Sequence, residues 1–335
     1  MSLSSLLLPA VLFFALGVIA RLIKSDLKFP PDLAKVLSIY LLMAIGLHGG
    51  YELAKADIAV AFQSIVWALV LGFTLPIIGY LALVATRKVN PLDAAAISAH
   101  YGSVSAGTFL TAIAYLDNLS VEYETYPLIM LAVMESPAIV VGLILAAKAR
   151  QTIAARDGLA KSTPDEASAE KSNFKEMLRD AFTNGSVVVL IGSMIIGAIA
   201  DPSGMDKLKP FIDEIFMGVL CLFLFDMGMV AARRIGDFKQ VGIVLAAFGV
   251  VMPLVGGVIG VYVGANMLDF SVGGAMLVGV LGASASYIAV PPAMRLAVPE
   301  ANPSFYLTLS LGITFPFNVI VGIPLYHGLA KAMAG

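Results

Sequence analysis

The sequence contains few of the side chains that enzymes and metalloproteins use. Of its 335 residues, 13% are charged, three are histidine and one is cysteine. A lone Cys221 excludes an intrachain disulfide and a cysteine-cluster metal site, and the three histidines lack metal-ligand spacing. Paired aspartates, a His-Glu-x-x-His motif and a nucleophile with a base at usable spacing are also missing. We therefore expect neither an enzyme nor a resident cofactor.

The chain also lacks an excess of charge of either sign. Its formal net charge of −2, without a basic patch interleaved with aromatics, gives no indication of nucleic-acid binding. Apolar residues are abundant instead: 59% of the chain is hydrophobic, and the mean hydropathy is +0.91. Soluble domains contain about 45–50% apolar residues. The composition therefore predicts a polytopic membrane protein that is surrounded by the lipid bilayer.

Long apolar stretches predict the membrane-spanning segments. A helix needs ~20 residues to cross ~30 Å of hydrocarbon. Eight stretches approach or exceed that length: 5–23, 33–54, 58–85, 126–147, 185–200, 211–231, 241–264 and 305–330. Two more, 92–116 and 272–297, are polar and rich in glycine, and an internal repeat pairs them with each other. We predict an all-α fold with ten transmembrane helices.

The repeat relates the two halves of the chain. Gly17-Val18-Ile19-Ala20 returns 180 residues later as Gly197-Ala198-Ile199-Ala200, and Gly72-x-x-x-Pro76-x-x-Gly79 returns as Gly249-x-x-x-Pro253-x-x-Gly256. Repeats with an odd number of helices run in opposite directions through the bilayer, as is usual in secondary transporters. We predict a 5+5 inverted repeat of residues 1–150 and 185–335. Residues 151–184 are expected to form a cytoplasmic linker that ends in an interfacial helix over 173–184.

The distribution of positive charge predicts the orientation. With the N-terminus outside, the inner loops carry 17 Lys and Arg residues and the outer side carries 4, in agreement with the positive-inside rule. No positive residue precedes the first apolar run, so we interpret it as a transmembrane helix rather than a signal peptide. Both termini are expected outside the plasma membrane, on the periplasmic side of the inner membrane if the host is Gram-negative.

The fourth helix of each half carries small and hydroxyl side chains at membrane depth. These segments are 98–108 in the first half and 282–290 in the second, where Pro291-Pro292 follows. Two consecutive prolines remove two backbone donors and end or kink a helix. We predict that helices 4 and 9 are broken, that their free amide ends hold a small anion, and that their free carbonyls suit Na⁺. The alternative is that the small residues only permit close helix packing.

The same segments resemble a known family. Gly102-Ser103-Val104-Ser105-Ala106-Gly107-Thr108 resembles the glycine-rich break of the cyanobacterial SbtA-type sodium-dependent bicarbonate transporters. Pro291-Pro292-Ala293-Met294-Arg295, followed by Pro299-Glu300-Ala301-Asn302-Pro303-Ser304, resembles their second break and its exit. The similarity covers nearly the whole chain. It implies a Na⁺-coupled bicarbonate symporter and a homotrimer, and in the cyanobacterial members a PII-like cytoplasmic regulator. It also implies a gate domain of helices 1, 2, 6 and 7 and a core domain of helices 3–5 and 8–10, which points to elevator-like movement.

The predicted site residues come from the two breaks and from ionisable residues inside the membrane. For substrate binding they are Ser103, Ser105, Ala106, Gly107, Ala289 and Val290. For ion coupling they are Glu135, Ser98, Ser286, Tyr287 and Thr108, with His100 and Asp226 as further candidates. A charge inside the bilayer costs about 2.5–3.5 kcal/mol or more, which favours a functional role for Glu135. The structural alternatives are a protonated Glu135 that is hydrogen-bonded in the core and a packed, neutral His100.

The chain departs from the family pattern at the second break. The family is expected to have Ser-Asp-x-Ser-Gly-Pro-Pro there, whereas Tyr287, Ala289 and Val290 stand at the corresponding positions. Asp226 either compensates for the missing acid or faces the gate. The departure leaves two alternatives open. One is a carrier of another small anion or carboxylate, coupled to Na⁺ or H⁺. The other is a non-transporting membrane sensor in which Tyr287 occludes the pocket.

Overall fold

The computed structural model describes residues 9–27, 29–30, 32–55, 57–156, 185–234 and 238–335. The predicted interfacial helix over 173–184, and the predicted linker beyond residue 156, lie outside these residues. All regular secondary structure in the described residues is helical. In the first half the helices are α1 Pro9–Leu22, α2 Leu33–Leu53, α3 Ile58–Ala85, α4 Pro91–Gly102, α5 Ala106–Asn118 and α6 Tyr126–Arg156.

The second half begins with α7 Gly185–Ile199 and α8 Pro202–Arg234, the latter with a π-helical turn at Pro210–Glu214. Next come α9 Phe238–Tyr262, which continues as a π turn over Val263–Met267, then α10 Val272–Gly282 and α11 Val290–Ala297. The last helix is α12 Pro303–Ala334, with π turns at Thr308–Thr314 and Asn318–Gly322. Gly242 interrupts α9 with φ +71°, a left-handed conformation that disfavours any side chain.

The prediction of an all-helical, multi-pass membrane protein is confirmed. Among the described residues, six helices are long and apolar enough to cross a bilayer: Lys35–Leu53, Ile58–Ala85, Tyr126–Ile153, Pro202–Arg234, Val241–Met267 and Pro303–Ala334. Pro9–Leu22, Val188–Ile199 and Val272–Gly282 are shorter apolar helices. The total of ten spans stays a prediction.

Exposed apolar side chains form stripes along these helices. On α3 the stripe is Phe62, Val66, Leu69, Phe73, Ile77 and Leu81. Residues at such spacing share one helix face, and a continuous apolar face of this kind marks contact with lipid or protein rather than water. The bilayer is therefore the natural solvent of this surface.

The polar segments 92–116 and 272–297 each contain two helices instead of one. Residues 103–105 separate α4 from α5, and residues 283–289 separate α10 from α11; we call these stretches the first and second junctions. The prediction that Pro291-Pro292 ends or kinks a helix is wrong. Here α10 has already ended at Gly282, and Pro291 lies in the first turn of α11, where a missing N–H costs no helical hydrogen bond.

Two other helix limits differ from the prediction. The sixth apolar stretch was expected to begin at residue 211, but α8 begins at Pro202 because the Asp201 carboxylate accepts a 3.0 Å hydrogen bond from the Gly204 N–H. The charged residues that follow Gly204 hid this turn from hydropathy. Likewise, α6 continues past residue 147 to Arg156. Its last turns contain polar residues, and a hydropathy pattern detects only the apolar part of a helix.

One set of helices is held together by glycines that act in reciprocal pairs. α1 packs along α8, and α2 packs along α7. A Cβ at Gly17 of α1 would overlap the carbonyl of Phe225, and one at Gly228 of α8 would overlap that of Phe14. The other seam repeats this arrangement: a Cβ at Gly197 would overlap the carbonyl of Leu47, and one at Gly50 that of Met194. Backbones this close need small residues on both sides.

The remaining helices form a second packed group. α3 packs on α4 and α6, and α9 packs on α10 and α12. The repeated Gly-x-x-x-Pro-x-x-Gly motif serves the same purpose in both halves. The ring of Pro76 in α3 occupies the space beside Gly102, the last residue of α4, and the backbone of Gly256 in α9 lies against Gly282, the last residue of α10. The motif therefore lets a long helix approach the residue that precedes each junction.

Candidate functional site

The first junction places a capping serine in the protein interior. α4 ends at Gly102, and Ser105 is the N-cap of α5. The Ser105 Oγ accepts hydrogen bonds from the Thr108 N–H at 3.2 Å and from the Thr108 hydroxyl at 2.8 Å. Ser103, Ser105 and Thr108 are all buried. The amino end of α5 therefore begins inside the packed protein, where its first amides have no preceding helical turn to bond.

The second junction is longer, and the last helix supports it. The side-chain amide nitrogen of Asn318 in α12 donates a 2.8 Å hydrogen bond to the backbone carbonyl of Ala283, where α10 ends. The side-chain oxygen Oδ1 of Asn318 accepts a 3.2 Å hydrogen bond from the Tyr326 hydroxyl. Ala289 and Val290, two predicted substrate-binding residues, are buried at the start of α11. Asn318 thus satisfies a backbone group that the junction leaves free.

The two junctions meet. The N–H of Ser286 donates a 2.8 Å hydrogen bond to the carbonyl of His100, near the end of α4. The next residue, Tyr287, places its hydroxyl where a side chain at Gly107 would stand. Five of the predicted site residues therefore lie together at this contact: His100, Ser105, Gly107, Ser286 and Tyr287.

Several polar atoms around the contact are buried without a hydrogen-bond partner. They include the hydroxyls of Ser103 and Tyr287, the Nε2 of His100 and the hydroxyl of Tyr306. Leaving a buried polar group unsatisfied costs about 1–3 kcal/mol, and native proteins contain few such groups. A cluster of them is expected where a polar ligand binds.

The tautomer of His100 follows from its contacts. Its Nδ1 lies 2.7 Å from the carbonyl of Ala96, and a carbonyl only accepts, so Nδ1 carries the proton. The unpartnered Nε2 is then a lone-pair acceptor. The ring stacks on Tyr306, with centroids 4.4 Å apart and an interplanar angle of 23°. His100 is fully buried, and it faces the α12 side of the junctions.

Ser98 and Ala106 lie at the margins of this cluster. The Ser98 hydroxyl donates a 2.6 Å hydrogen bond to the carbonyl of Ala94 within α4 and lies near Gly79 of α3. It is therefore directed to the α3 side rather than toward Tyr287. Ala106 is half-buried in the first turn of α5.

Glu135 lies on a face of α6 that contacts both helix groups. Leu128 and Gly142 are two turns before and after it on the same face. Leu128 occupies the space beside Gly49 of α2, and Gly142 packs on Ala99 of α4. Glu135 therefore lies between a contact with α2 and a contact with α4. No described residue forms a hydrogen bond or an ion pair with its carboxyl group.

Aromatic side chains surround Tyr287, and sequence reasoning missed them. The Tyr287 ring meets Phe315 edge-on at 5.7 Å, and Phe315 meets Phe14 of α1 edge-on at 5.6 Å. Phe223 of α8 lies against Gly107 from the other helix group. Asp226, buried in α8, is one turn from Phe223. Phenylalanine is too common in membrane helices for the sequence to have singled these residues out.

The polar residues of α12 were missed as well, although the sequence carries a signal for them. The Thr314 hydroxyl donates a 2.7 Å hydrogen bond to the carbonyl of Gly249 and, because it has one proton, accepts the 2.7 Å hydrogen bond from the Tyr101 hydroxyl. Ser310, Thr314 and Asn318 recur every four residues in an otherwise apolar helix. That spacing predicts one polar helix face, which here braces α4, α9 and α10.

An open cavity lies at the end of the molecule where α2 and α5 end and α6 begins. It has a volume of about 780 Å³ and adjoins a crevice of about 250 Å³ between α2, α8 and α5. Glu52, Asp117, Glu122, Glu124 and Asp213 line them. The one basic side chain among the lining residues is His48, whose Nδ1 lies 3.5 Å from Asp213.

No group of three or more His, Cys, Asp and Glu side chains within the described residues is arranged to hold a metal ion. The oxygen-rich surroundings of the junctions instead consist of hydroxyl and backbone groups. Such uncharged oxygen ligands suit a weakly bound alkali cation better than a transition metal.

Comparison with known proteins identifies the family. No curated protein is similar enough to the chain to be matched. A family model described as the Na⁺-dependent bicarbonate transporter superfamily matches residues 9–331. That match extends from α1 to within the last turns of α12 and includes both junctions. The chain therefore belongs to the Na⁺-dependent bicarbonate transporter superfamily.

Proposed function

We propose that this protein is a secondary active transporter that couples the entry of Na⁺ to the import of bicarbonate. The observation that carries the proposal is the contact of the two junctions, in which Ser286 bonds to His100 amid buried polar atoms that have no partner. Membership of the superfamily supports the choice of ion and anion. In this view α4–α5 and α10–α11 are the broken fourth and ninth spans of a ten-helix, 5+5 inverted repeat.

The amino ends of α5 and α11 are the proposed anion site. Each helix begins inside the packed protein, next to buried residues, and the macrodipole places about half a positive charge at such an end. The Ser103 hydroxyl has no protein partner and is available to donate to an anion. Bicarbonate is small and carries one negative charge, so the amides of Ala106 and Gly107 could bind its oxygens.

Glu135 is the proposed coupling carboxylate. It has no partner among the described residues. The free-energy cost of a charged carboxylate inside a membrane protein falls when a cation binds beside it. The hydroxyls and carbonyls of the junctions, including those of Thr108 and Ser286, are candidate oxygen ligands for Na⁺. Cation and anion at one junction would screen each other's charge, which explains why neither would cross alone.

The two helix groups are the proposed moving parts. The glycine-paired helices α1, α2, α7 and α8 would form the gate, and the remaining helices would form the core that carries the site across the membrane in an elevator-like step. The contacts of Phe14 with Phe315 and of Phe223 with Gly107 lie on the boundary between them. Aromatic rings can slide past one another without leaving polar groups unpaired, which suits a moving boundary.

The acidic cavity is the proposed outer vestibule. Its lining of Glu52, Asp117, Glu122 and Glu124 would raise the local concentration of Na⁺. This assignment requires both termini to lie outside the plasma (inner) membrane, as the positive charges predict. A homotrimer and a PII-like cytoplasmic regulator remain expectations that follow from the family resemblance.

Reconstituted vesicles test the coupling. We expect uptake of labelled Na⁺ to rise several-fold when external bicarbonate replaces chloride, and uptake of labelled bicarbonate to require a Na⁺ gradient. Measuring Na⁺ avoids the leak of label as CO₂ through the lipid. Equal Na⁺ uptake with bicarbonate and with chloride would refute the coupling. Vesicles without protein and vesicles with external K⁺ in place of Na⁺ are the controls.

A second candidate cargo is another small anion or carboxylate, with Na⁺ or H⁺ as the coupling ion. The observation that favours it is Tyr287, which lies at the junction where the resembled family is expected to have an acid. Competition of nitrate, formate and acetate against bicarbonate-driven Na⁺ uptake separates the two cargoes. An anion that abolishes bicarbonate-driven Na⁺ uptake at a concentration below that of bicarbonate would be the better candidate for the cargo.

A further inference from the structure

Tyr287 is held in place at the junction contact by both its backbone and its ring. The N–H of the preceding residue, Ser286, is bonded to the His100 carbonyl at 2.8 Å. The ring packs edge-on against Phe315 at 5.7 Å. With both ends fixed, the hydroxyl points at the amino end of α5, where it takes the space that any side chain at Gly107 would need.

The surroundings of that hydroxyl match those expected for an anion's oxygen. The Gly107 N–H and the Ser105 hydroxyl face this oxygen, but neither reaches the geometry of a regular hydrogen bond, so the buried oxygen is only weakly held. The Ser105 oxygen already accepts from the N–H and the hydroxyl of Thr108, so its own O–H is the group that remains to donate. A phenol oxygen carries much less negative charge than a carboxylate or bicarbonate oxygen, so it is the weaker acceptor for the amides of a helix end.

We propose that the Tyr287 hydroxyl is a built-in occupant of the anion site, which the substrate must displace, and that Tyr287 thereby sets both the affinity and the size limit for the anion. This inference rests on the proposed function, because both assume that an anion binds at the amino end of α5. It explains why Gly107 lacks a side chain, because any Cβ there would overlap the tyrosine oxygen and press on Phe223.

The opposite role, in which the hydroxyl donates a hydrogen bond to bound substrate, makes the opposite prediction. Removing a competing oxygen strengthens anion binding, whereas removing a donor weakens it. A hydrogen bond contributes about 0.5–1.5 kcal/mol net, which corresponds to about a 2- to 10-fold change in Kd in either direction. The sign of the change therefore decides between the two roles.

The test uses the purified full-length protein, with bicarbonate binding measured in saturating Na⁺ from ligand-induced thermal stabilisation. For Tyr287→Phe we expect a Kd about 2- to 10-fold lower than that of the wild type. For Tyr287→Ser, which also removes the ring, we expect binding of propionate that the wild type does not bind. Tyr80→Phe, a partly buried tyrosine of α3, is the control and should leave both unchanged.

The outcomes separate the inference from the proposed function. Weaker or equal binding by Tyr287→Phe overturns the inference, and Na⁺-coupled flux in the wild type would still stand. Tighter binding by Tyr287→Phe in a protein that shows no wild-type flux supports the inference and refutes the transporter. If the variants do not fold, a density map of the wild type with Na⁺ and bicarbonate decides. Tyr287 should then have left Gly107, and an unmoved hydroxyl overturns the inference.

Discussion

The N–H of Ser286 donates a 2.8 Å hydrogen bond to the carbonyl of His100, and this one bond joins the second junction to the last turns of α4, which are far away in the chain. Gly102 ends α4 just after His100, so the carbonyls there have no later helical amide to accept from. The bond therefore pairs one carbonyl near the end of α4 with one amide of the second junction. Non-helical backbone is tolerated inside a membrane only where its polar groups find partners of this kind.

Replacing Glu135 by Gln should abolish bicarbonate-stimulated Na⁺ uptake in reconstituted vesicles. Gln keeps the shape of the side chain but removes the negative charge that would attract the cation. We expect at least a 10-fold loss, which corresponds to about 1.4 kcal/mol or more of lost interaction. Glu214→Gln, which changes an exposed carboxylate on α8, is the matched control. Undiminished uptake by Glu135→Gln would dismiss this residue as the coupling group.

Replacing Gly197 by Ala should destabilise the protein by about 1–3 kcal/mol, because the new methyl group would overlap the Leu47 carbonyl of α2. Gly192, on the same helix, has open space around its Cβ position. Gly192→Ala should therefore be neutral or stabilising, since alanine is the better helix former. Thermal unfolding in detergent measures both, and equal melting temperatures would contradict the close contact of α2 and α7.

Replacing Asn318 by Ala should cost about 1–3 kcal/mol, because the Ala283 carbonyl at the end of α10 would lose its buried donor. Asn266→Ala removes only an exposed 3.4 Å contact with the Tyr262 carbonyl, and we expect it to change stability by less than about 0.5 kcal/mol. Thermal unfolding compares the two. A similar loss in both variants would show that Asn318 has no special part in supporting the junction.

The ion pair of Arg150 and Glu300 should make stability depend on acid pH. The guanidinium donates to the carboxylate at 2.9 and 2.8 Å and holds the pKa of Glu300 below its usual value. A lowered folded-state pKa means that the stabilisation is complete above the usual pKa, about 4.3, and is lost as the pH falls through the folded-state value. Glu300 is 45% exposed, so the effect should stay below about 1 kcal/mol.

A double-mutant cycle isolates this pair. Glu300→Gln and Arg150→Gln should each lower the melting temperature slightly at neutral pH, and the difference from wild type should shrink in acid. The double variant should lose less than the sum of the two. Additive losses, or a difference that does not change with pH, would show that the pair does not contribute in this way.

The limits of the helices could largely be predicted from the sequence, because a bilayer demands long apolar runs. The third stretch, 58–85, coincides with α3. The Gly-x-x-x-Pro-x-x-Gly motif was evident as a repeat, but its purpose was not. Only the folded structure puts Pro76 against Gly102 and Gly256 against Gly282. A motif shows that close packing is needed, and it does not name the partner.

The residue types of the site could be predicted from the sequence, whereas the contacts between them could not. Small and hydroxyl residues marked both junctions. Whether Pro291 ends one helix or begins the next depends on where α10 stops, and nothing local fixes that. The meeting of Tyr287 with Gly107 joins residues 180 positions apart, and it depends on how the non-helical second junction is placed against the first turn of α5. No periodicity encodes such a placement.

The reciprocal glycine seams have a consequence for biosynthesis. Gly17 is matched to a carbonyl on α8 and Gly197 to one on α2, so the close approaches in these two seams join the first half of the chain to the second. When the ribosome has made only α1 to α6, the grooves beside Gly17 and Gly50 have nothing to fill them. The packing of α1 and α2 can therefore be completed only after α7 and α8 have been synthesised and inserted into the bilayer.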